Sequence, residues 1–514
     1  MREQWSPAAL LASPGSAGTR TVASATPSTP STPSTASTPP PTRPNSSKGN
    51  TVPHYDLVIV GTGSGNSILD RRFADHKVAI VEKGVFGGTC LNVGCIPTKM
   101  FVHPADLAAT PEHSARLGVD TELRGVRWRE IRDRIFGRID TIAEGGRRYR
   151  HEHDDNAGVT VYEGHGRFTG HKELTVELAD GPETVTADQF VLAAGGRADI
   201  PDVPGLDEVD HHTSDTVMRL DDLPERAVIL GSGFIGAEFA HVFASFGVDV
   251  TVVARSGALL RSEDDDVSGR FTELASRRYD VRLSRRAVRA RRTATGTALD
   301  LEGPAGPETV EGDLLLVATG RRPNSDLLDV GATGVSTLPS GHVAVDEHQR
   351  TNVDGIYALG DLSSPHELKH VANHEARVVQ HNLLHPDEPV AADHRFVPHA
   401  VFTAPQIASV GLTERDAAAR GVPYVTATQG YGGIAYGWAM EDEHSFAKLL
   451  ADPDTGALLG AHILGPQAPT LIQPLIQAMS FGIDARSMAR GQYWIHPAMP
   501  ELIENALYAL PLDD

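Results

Sequence analysis

The residues with the most chemistry to offer are Cys90 and Cys95, the two cysteines of a 514-residue chain, which stand together in the segment GGTCLNVGCIPTK from Gly87 to Lys99. Two thiols are too few for a structural framework, so their closeness needs a reason of its own. Five steps of regular helix, at about 1.5 Å each, would hold the two Cα atoms roughly 7.5 Å apart along the axis, whereas a disulfide wants about 4.4–6.8 Å. The pair closes only across an irregular backbone, which Asn92 and Gly94 tolerate. The spacing suits a redox-active disulfide at the entrance to a helix. Taken bare, C-x4-C equally suits two buried thiols or half of a zinc site.

Such a pair must be positioned and supplied with electrons, and the flanking chain reads as elements able to do both. DLVIVGTGSGNS is an apolar strand entering a Gly-rich turn, followed by residues that can start a helix and then by a second strand, VAIVEK, ending at Glu82. Gly61 and Gly63 let backbone approach a pyrophosphate at a helix N-terminus, and an acid about 20 residues on can hold a ribose hydroxyl pair. Asn66 departs from this fingerprint. It occupies the third glycine position, with Gly65 just before it, so the helix is expected to pack differently on the strand. AVILGSGFIGAEFA repeats the pattern with Gly231, Gly233 and Gly236 at all three positions. Two dinucleotide sites in one chain imply electron traffic between two nucleotides. The strand DVTVVAR then ends at Ala254 and Arg255, where an acid would accept the hydroxyls of NAD, and Arg261 follows. An arginine pair suits a 2'-phosphate, the alternative being two surface arginines.

The run GGTCLNVGCIPTKM closely resembles the redox-active segment of the flavin disulfide reductases, the family of glutathione reductase and lipoamide dehydrogenase. The resemblance implies that the first turn holds the ADP half of FAD through Gly61, Gly63, Ser64, Gly65, Glu82 and Lys83, with Gly88, Thr89 and Lys99 following in the redox segment. VYEGHGRF looks like the stretch whose backbone meets the adenine, which adds Gly166. FVLAAGGRADIPDVPG, with Gly195, looks like the crossing to a second domain. Asp361 in GIYALGDLSS resembles the acid that accepts a hydrogen bond from the ribityl chain, with HVANHEAR as a helix covering that site. For the second turn the resemblance implies NADPH, held by Gly231, Gly233, Ile235, Gly236, Arg255, Arg261 and, at the end of DLLLVATG, Gly320. It also sets Glu238 beside Lys99 as an ion pair at the point of hydride transfer, tolerable inside a protein because paired. Phe234 is either a lid over the nicotinamide pocket or a core residue.

Beyond Pro389 the pattern changes to strands and one long helix. VFTAPQIASVGLTERDA and FAKLLADPDTGALLGAHILG resemble the family's dimerisation domain, and His496 with Glu501 in WIHPAMPELIENAL resembles its acid/base pair, the carboxylate orienting the imidazole. In relatives that histidine serves the other subunit's site, so a homodimer is implied. The implied cycle passes hydride from NADPH to the flavin and electrons on to Cys95, while Cys90, the outer thiol, attacks a substrate disulfide. No third cysteine exists to form a further relay. Three stretches, GTGSGNSILD, AYGWAMED and HPAMPE, resemble the branch of the family that reduces mycothiol disulfide, so that disulfide is the expected substrate. Lipoamide, glutathione disulfide, or a flavin protein without activity are the rival readings.

The rest of the sequence bounds this picture. With 46 Lys and Arg against 67 Asp and Glu, a net charge of -21 disfavours nucleic acid and anionic membrane as partners. No apolar run approaches the roughly 20 residues that span a bilayer, the N-terminus lacks the apolar core of a secretion signal, and a cytoplasmic location is expected. No metal site is expected. Residues 1–52 are a Ser/Thr/Pro-rich stretch expected to be a disordered tail, or the product of a start placed too far upstream. Residues 131–150 read as an amphipathic helix with a solvated basic face. The expected fold is α/β, with two Rossmann-like dinucleotide-binding domains, for FAD (53–200 and 323–390) and NADPH (201–322), and a C-terminal α+β dimerisation domain (391–514).

Overall fold

A computed structural model describes residues 52–513; the tail expected before them lies outside the described residues. The apolar runs LVIV, VAIV and FVL become neighbouring strands of one sheet. His54–Val60 lies between Val78–Glu82 and the end of Gly181–Leu192, all parallel, with Val159–Glu163 and Ile356–Ala358 completing the parallel part. Parallel strands are covered on both faces, which is why these segments are apolar without alternation. Glu173–Leu178 and His165–Gly170 add an antiparallel extension.

The second nucleotide-type sheet repeats the plan with four parallel strands. Arg226–Leu230 lies between Asp249–Val253 and Leu314–Val317, and Asp280–Arg282 forms the edge. A three-stranded antiparallel sheet over Arg286–Gly312 is inserted before its last strand. Where the chain leaves and re-enters the first sheet's unit, Gly196–Ala198 pairs with Arg321–Pro323 as a two-stranded ribbon. The C-terminal part is a five-stranded antiparallel sheet, from His399–Val401 at one edge to Val425–Gly430 at the other, packed against short helices. The expected class, α/β with two dinucleotide-type sheets and a C-terminal α+β unit, is the class observed.

Three expectations are corrected. No α-helix follows the first Gly-rich turn; Gly65–Ser67 and Arg71–Phe73 are single 3-10 turns. The composition explains it, since Gly65, Asn66, Ser67 and Asp70 are poor helix formers, and the Asp70 carboxylate takes the amide of Arg72 to cap the second turn. The second turn opens instead into Phe234–Ser245, rich in Ala and Phe. Nor is there one long C-terminal helix: Gln473–Phe481, the longest there among the described residues, stops at Gly482, which takes a left-handed conformation. Finally, the helix predicted over 131–150 spans Trp128–Glu152, but its Arg150 does not belong to a solvated face, being only 7% exposed.

A core joins the two nucleotide units behind the cysteines. Phe101 of helix Cys95–Ala108 stacks on Trp128, with ring centroids 4.8 Å apart, and both belong to a cluster with Phe239, Phe243 and Phe246 from the segment after the second turn. This packing fixes the redox helix against Phe234–Ser245.

Candidate active site

The backbone irregularity that lets the thiols meet falls at Gly94, as expected, but at Val93 rather than Asn92. Gly88–Asn92 is a short helix, and Asn92, far from loosening the chain, is buried with its amide nitrogen donating to the carbonyls of Phe86 (2.9 Å) and Gly88 (3.1 Å). The break is at Val93 and Gly94, and a side chain on Gly94 would come within 2.9 Å of the Thr89 carbonyl. Cys95 therefore starts a 14-residue helix, and both cysteines are free thiols. Hydrogen bonding from the Cys90 thiol lowers the pKa of Cys95 to about 7, helped by the Lys99 ammonium. The same hydrogen bond, together with burial, pushes the Cys90 thiol up. A thiolate at a helix N-terminus is the form that undertakes disulfide exchange.

One turn further along, Lys99 meets Glu238. Its ammonium lies 2.6 Å from both carboxylate oxygens, and the Phe402 amide donates to one of them at 2.9 Å. Glu238 is buried and Lys99 partly exposed, so the charge most in need of a partner has two donors. The Lys99 ammonium also stands 4.5 Å from the Phe402 ring centroid.

The first Gly-rich turn is shaped to keep side chains away. Gly61 has φ +103°, and a Cβ there would stand 2.4 Å from the Ala193 carbonyl oxygen. A Cβ on Gly88 would lie 2.7 Å from the Gly63 Cα, so the redox segment and the turn pass back to back. Glu82 closes the turn from the next strand, accepting from the Thr62 amide (2.8 Å), the Thr62 hydroxyl (2.7 Å) and the Gly84 amide (2.8 Å). Gly65 and Gly166 are buried, Thr89 is half-buried and Lys83 exposed. Sequence reasoning missed three side chains here. The Lys369 ammonium donates to the Ser64 hydroxyl at 2.7 Å, Ser64 in turn donates to Asn373, and Arg150 grips Asn66. Burial lowers the pKa of Lys369, while the nearby thiols and Asp361 favour its charged form. Lys369 begins the helix over HVANHEAR, whose role as a cover was legible although its lysine was not singled out.

Asp361 sits on the turn Gly360–Leu362, with its pKa pushed up by burial. Glu375, also missed, holds that turn: one carboxylate oxygen accepts from the Gly360 amide at 2.7 Å and the other meets His394 at 3.0 Å. Gly195, with φ +65°, accepts from the Asn324 amide, which ties the strand end to the returning chain.

At the second turn, Gly231 has φ +141°, and a Cβ would lie 2.1 Å from the Ala318 carbonyl oxygen. Gly233 caps the 12-residue helix, Gly236 packs its first turn onto Gly231, and Ile235 is partly buried. Gly320 (φ +142°) takes the amide of Asp199 on its carbonyl. Arg255 and Arg261 are exposed, and neither side chain has an ion-pair partner among the described residues. Phe234 is 45% exposed, which removes the core reading for it.

His496 and Glu501 are brought together: the imidazole Nδ1 bonds a Glu501 oxygen, and the other oxygen takes the Ala498 amide at 3.3 Å. The imidazole is 69% exposed and the carboxylate largely covered. Among the described residues no hydrogen bond or ion pair joins His496 to either cysteine of the same chain.

These parts match known proteins. A family model described as pyridine nucleotide-disulphide oxidoreductase matches residues 55–376, and one for that family's dimerisation domain matches residues 397–507. The chain is 54% identical over 462 residues to mycothione reductase of Mycobacterium tuberculosis, covering 89% of this chain and 99% of that protein. It is 32% identical to dihydrolipoyl dehydrogenase of Corynebacterium glutamicum over 89% of this chain and 98% of the relative. Among solved structures, an HOCl-induced flavoprotein disulfide reductase of Escherichia coli superposes with a TM-score of 0.76 at 25% identity, covering 88% of this chain and 99% of that one. No helix among the described residues is long and apolar enough to cross a membrane.

Proposed function

Because this chain belongs to the pyridine nucleotide-disulphide oxidoreductase family, we propose that it is the enzyme that reduces mycothiol disulfide to two mycothiols at the expense of NADPH, as a cytoplasmic homodimer. The observation that carries the chemistry is the dithiol at the helix entrance, Cys95 opening the helix that carries Lys99 one turn on. The 54% identity to the mycobacterial relative favours mycothiol disulfide over lipoamide or glutathione disulfide.

On this reading residues 53–200 and 323–390 bind FAD, 201–322 bind NADPH and 391–514 form the dimer. The residues present fit a dinucleotide at each turn: Gly61 and Gly231 leave no room for a Cβ, and backbone is all that a phosphate would meet there. Gly63, Ser64, Gly65 and Glu82, with Lys83, Gly88, Thr89, Lys99, Gly166, Gly195 and Asp361, would hold FAD. Gly231, Gly233, Ile235, Gly236 and Gly320 would hold NADPH, whose 2'-phosphate the free forks of Arg255 and Arg261 suit. Bound FAD supplies the two-electron step between nicotinamide and dithiol.

The chain's own residues then act in order. His496 of the partner subunit, oriented by Glu501, takes the proton of Cys90, and the Cys90 thiolate attacks one sulfur of mycothiol disulfide. A Cys90–mycothiol disulfide forms as the substrate S–S bond breaks, and the first mycothiol leaves as a thiolate that takes from His496 the proton that came from Cys90. The Cys95 thiolate attacks the Cys90 sulfur, closing Cys90–Cys95 and breaking the mixed disulfide, so that the second mycothiol leaves as a thiolate and takes a proton from solvent. The pair is reopened by the two electrons of NADPH. Lys99 and Glu238 keep charge balanced between the redox helix and the second turn.

Cys90→Ser tests this assignment. The variant is expected to keep NADPH-dependent bleaching of its flavin absorbance and to lose disulfide reduction by about 10³-fold or more. Disulfide reduction near the wild-type rate would remove Cys90 from the mechanism.

A further inference from the structure

The first turn has the glycines of a phosphate-binding turn but not the helix that normally supplies the charge. Gly65–Ser67 is three residues long, whereas the aligned amides of a full helix are what make its N-terminus attractive to anions. A cation stands in the vicinity. Arg150, 7% exposed, donates from Nε to Asn66 Oδ1 at 2.8 Å, from Nη2 to the Asn66 carbonyl at 2.6 Å and the Leu69 carbonyl at 3.5 Å, and from Nη1 to Asn156 Oδ1 at 2.7 Å.

All four acceptors are neutral. Among the described residues no carboxylate pairs with Arg150, and the ionisable neighbour that faces it is Tyr149, with its ring centroid 5.5 Å from the guanidinium carbon. A buried guanidinium without a counter-ion is unusual, because desolvation falls on it in full while a carboxylate partner would offset part of that cost. Burial accordingly pulls its pKa below the ordinary arginine value. The other buried Lys or Arg among the described residues is neutralised: Lys448, 2% exposed, bonds Asp264 at 2.8 Å and Asp266 at 2.6 Å.

We propose that Arg150 is the charge that replaces the missing helix, its counter-ion being the pyrophosphate of the dinucleotide held by the first turn. The fork grips Asn66, which occupies the third fingerprint position, and so couples one side chain to both the shape and the potential of the turn. The same asparagine that prevents close helix packing is thus the anchor of its substitute. This rests on FAD occupying the first turn. Arg150 is a positioning residue and a source of field, with no contact to the reacting atoms.

The test is the rate at which purified full-length holoenzyme releases FAD, followed by the fluorescence of the free flavin, for wild type, Arg150→Gln and Arg150→Lys. Arg150→Gln is expected to release FAD about 10-fold faster or more, and Arg150→Lys, which keeps the charge but cannot fork, about threefold faster. Equal losses in the two variants would overturn the proposal, since shape alone would then account for them. If Arg150→Gln emerges without FAD, its unfolding midpoint is compared with that of FAD-stripped wild type. The proposal expects it to be no lower, because an uncompensated charge is gone; a clearly lower midpoint overturns it. Asn66→Ala keeps the charge and is expected to stay within about threefold of wild type in FAD release, and a 10-fold acceleration there would also overturn it. Wild-type protein purified with FMN or with no flavin would instead overturn the FAD reading itself.

Discussion

The two Gly-rich turns begin alike and continue differently. Each follows a buried parallel strand and each opens on a glycine that a neighbouring carbonyl would forbid to any other residue, Ala193 at Gly61 and Ala318 at Gly231. After that, Gly236 lets the second turn run into a 12-residue helix, while Gly65, Asn66 and Asp70 break the first into two single turns. The second turn opens onto a helix N-terminus with two exposed arginines after its next strand; the first is flanked by buried Arg150 on Asn66 and half-buried Lys369 on Ser64. The glycine pattern therefore specifies backbone approach, and the residues after it decide where the positive charge comes from.

Breaking the common part should be most damaging. Gly61→Val and Gly231→Val both force a Cβ onto a carbonyl at a φ that a branched residue avoids, at a cost of about 3 kcal/mol or more. Gly61→Val is expected to purify without FAD. Gly231→Val is expected to keep FAD and lose NADPH-dependent activity by about 100-fold, as bound-flavin absorbance and NADPH titration would show. If both variants lose FAD, the two turns are not separate sites.

The link between the redox helix and the second turn comes next. Lys99→Met leaves the buried Glu238 carboxylate with only the Phe402 amide, and stability should fall by about 3 kcal/mol in thermal or urea unfolding. The double variant Lys99→Met with Glu238→Leu should recover much of that loss. Arg255→Leu is smaller still: the ratio of kcat/KM for NADPH over NADH should fall about 10-fold, with NADH itself hardly affected. An unchanged ratio would return Arg255 to the status of a surface residue.

The mildest perturbation is pH. Cys95 has its pKa lowered from 9.0 to about 7, so the folded state favours its thiolate. That stabilisation is complete above the ordinary thiol value and is lost as pH falls through about 7. The ultraviolet thiolate absorbance of the NADPH-reduced enzyme should follow this, fading below pH 7, and Lys99→Met should move the midpoint upward.

Much of this was legible because certain residues have few alternatives. A glycine at positive φ, a pair of cysteines in a 14-residue match and a histidine five residues before a glutamate each carry their geometry in the chain, and the structure brings Lys99 to Glu238 and His496 to Glu501. What escaped depends on long-range packing. Arg150 looked like one of many arginines on a helix face until the fold set that helix beside Asn66, 84 positions away. Lys369 reaches Ser64 across 305 positions, and Glu375 reaches the Asp361 turn only because its helix folds back over it. The missing helix could have been foreseen from Gly65, Asn66, Ser67 and Asp70, had propensity been weighed above the fingerprint.

The most direct test of the central claim is steady-state oxidation of NADPH by the purified protein with mycothiol disulfide, glutathione disulfide and lipoamide side by side, repeated with NADH. The account predicts that kcat/KM for mycothiol disulfide with NADPH exceeds every other combination by about 100-fold or more. Turnover chiefly of lipoamide, or with NADH in place of NADPH, would contradict both the substrate assignment and the role given to Arg255 and Arg261.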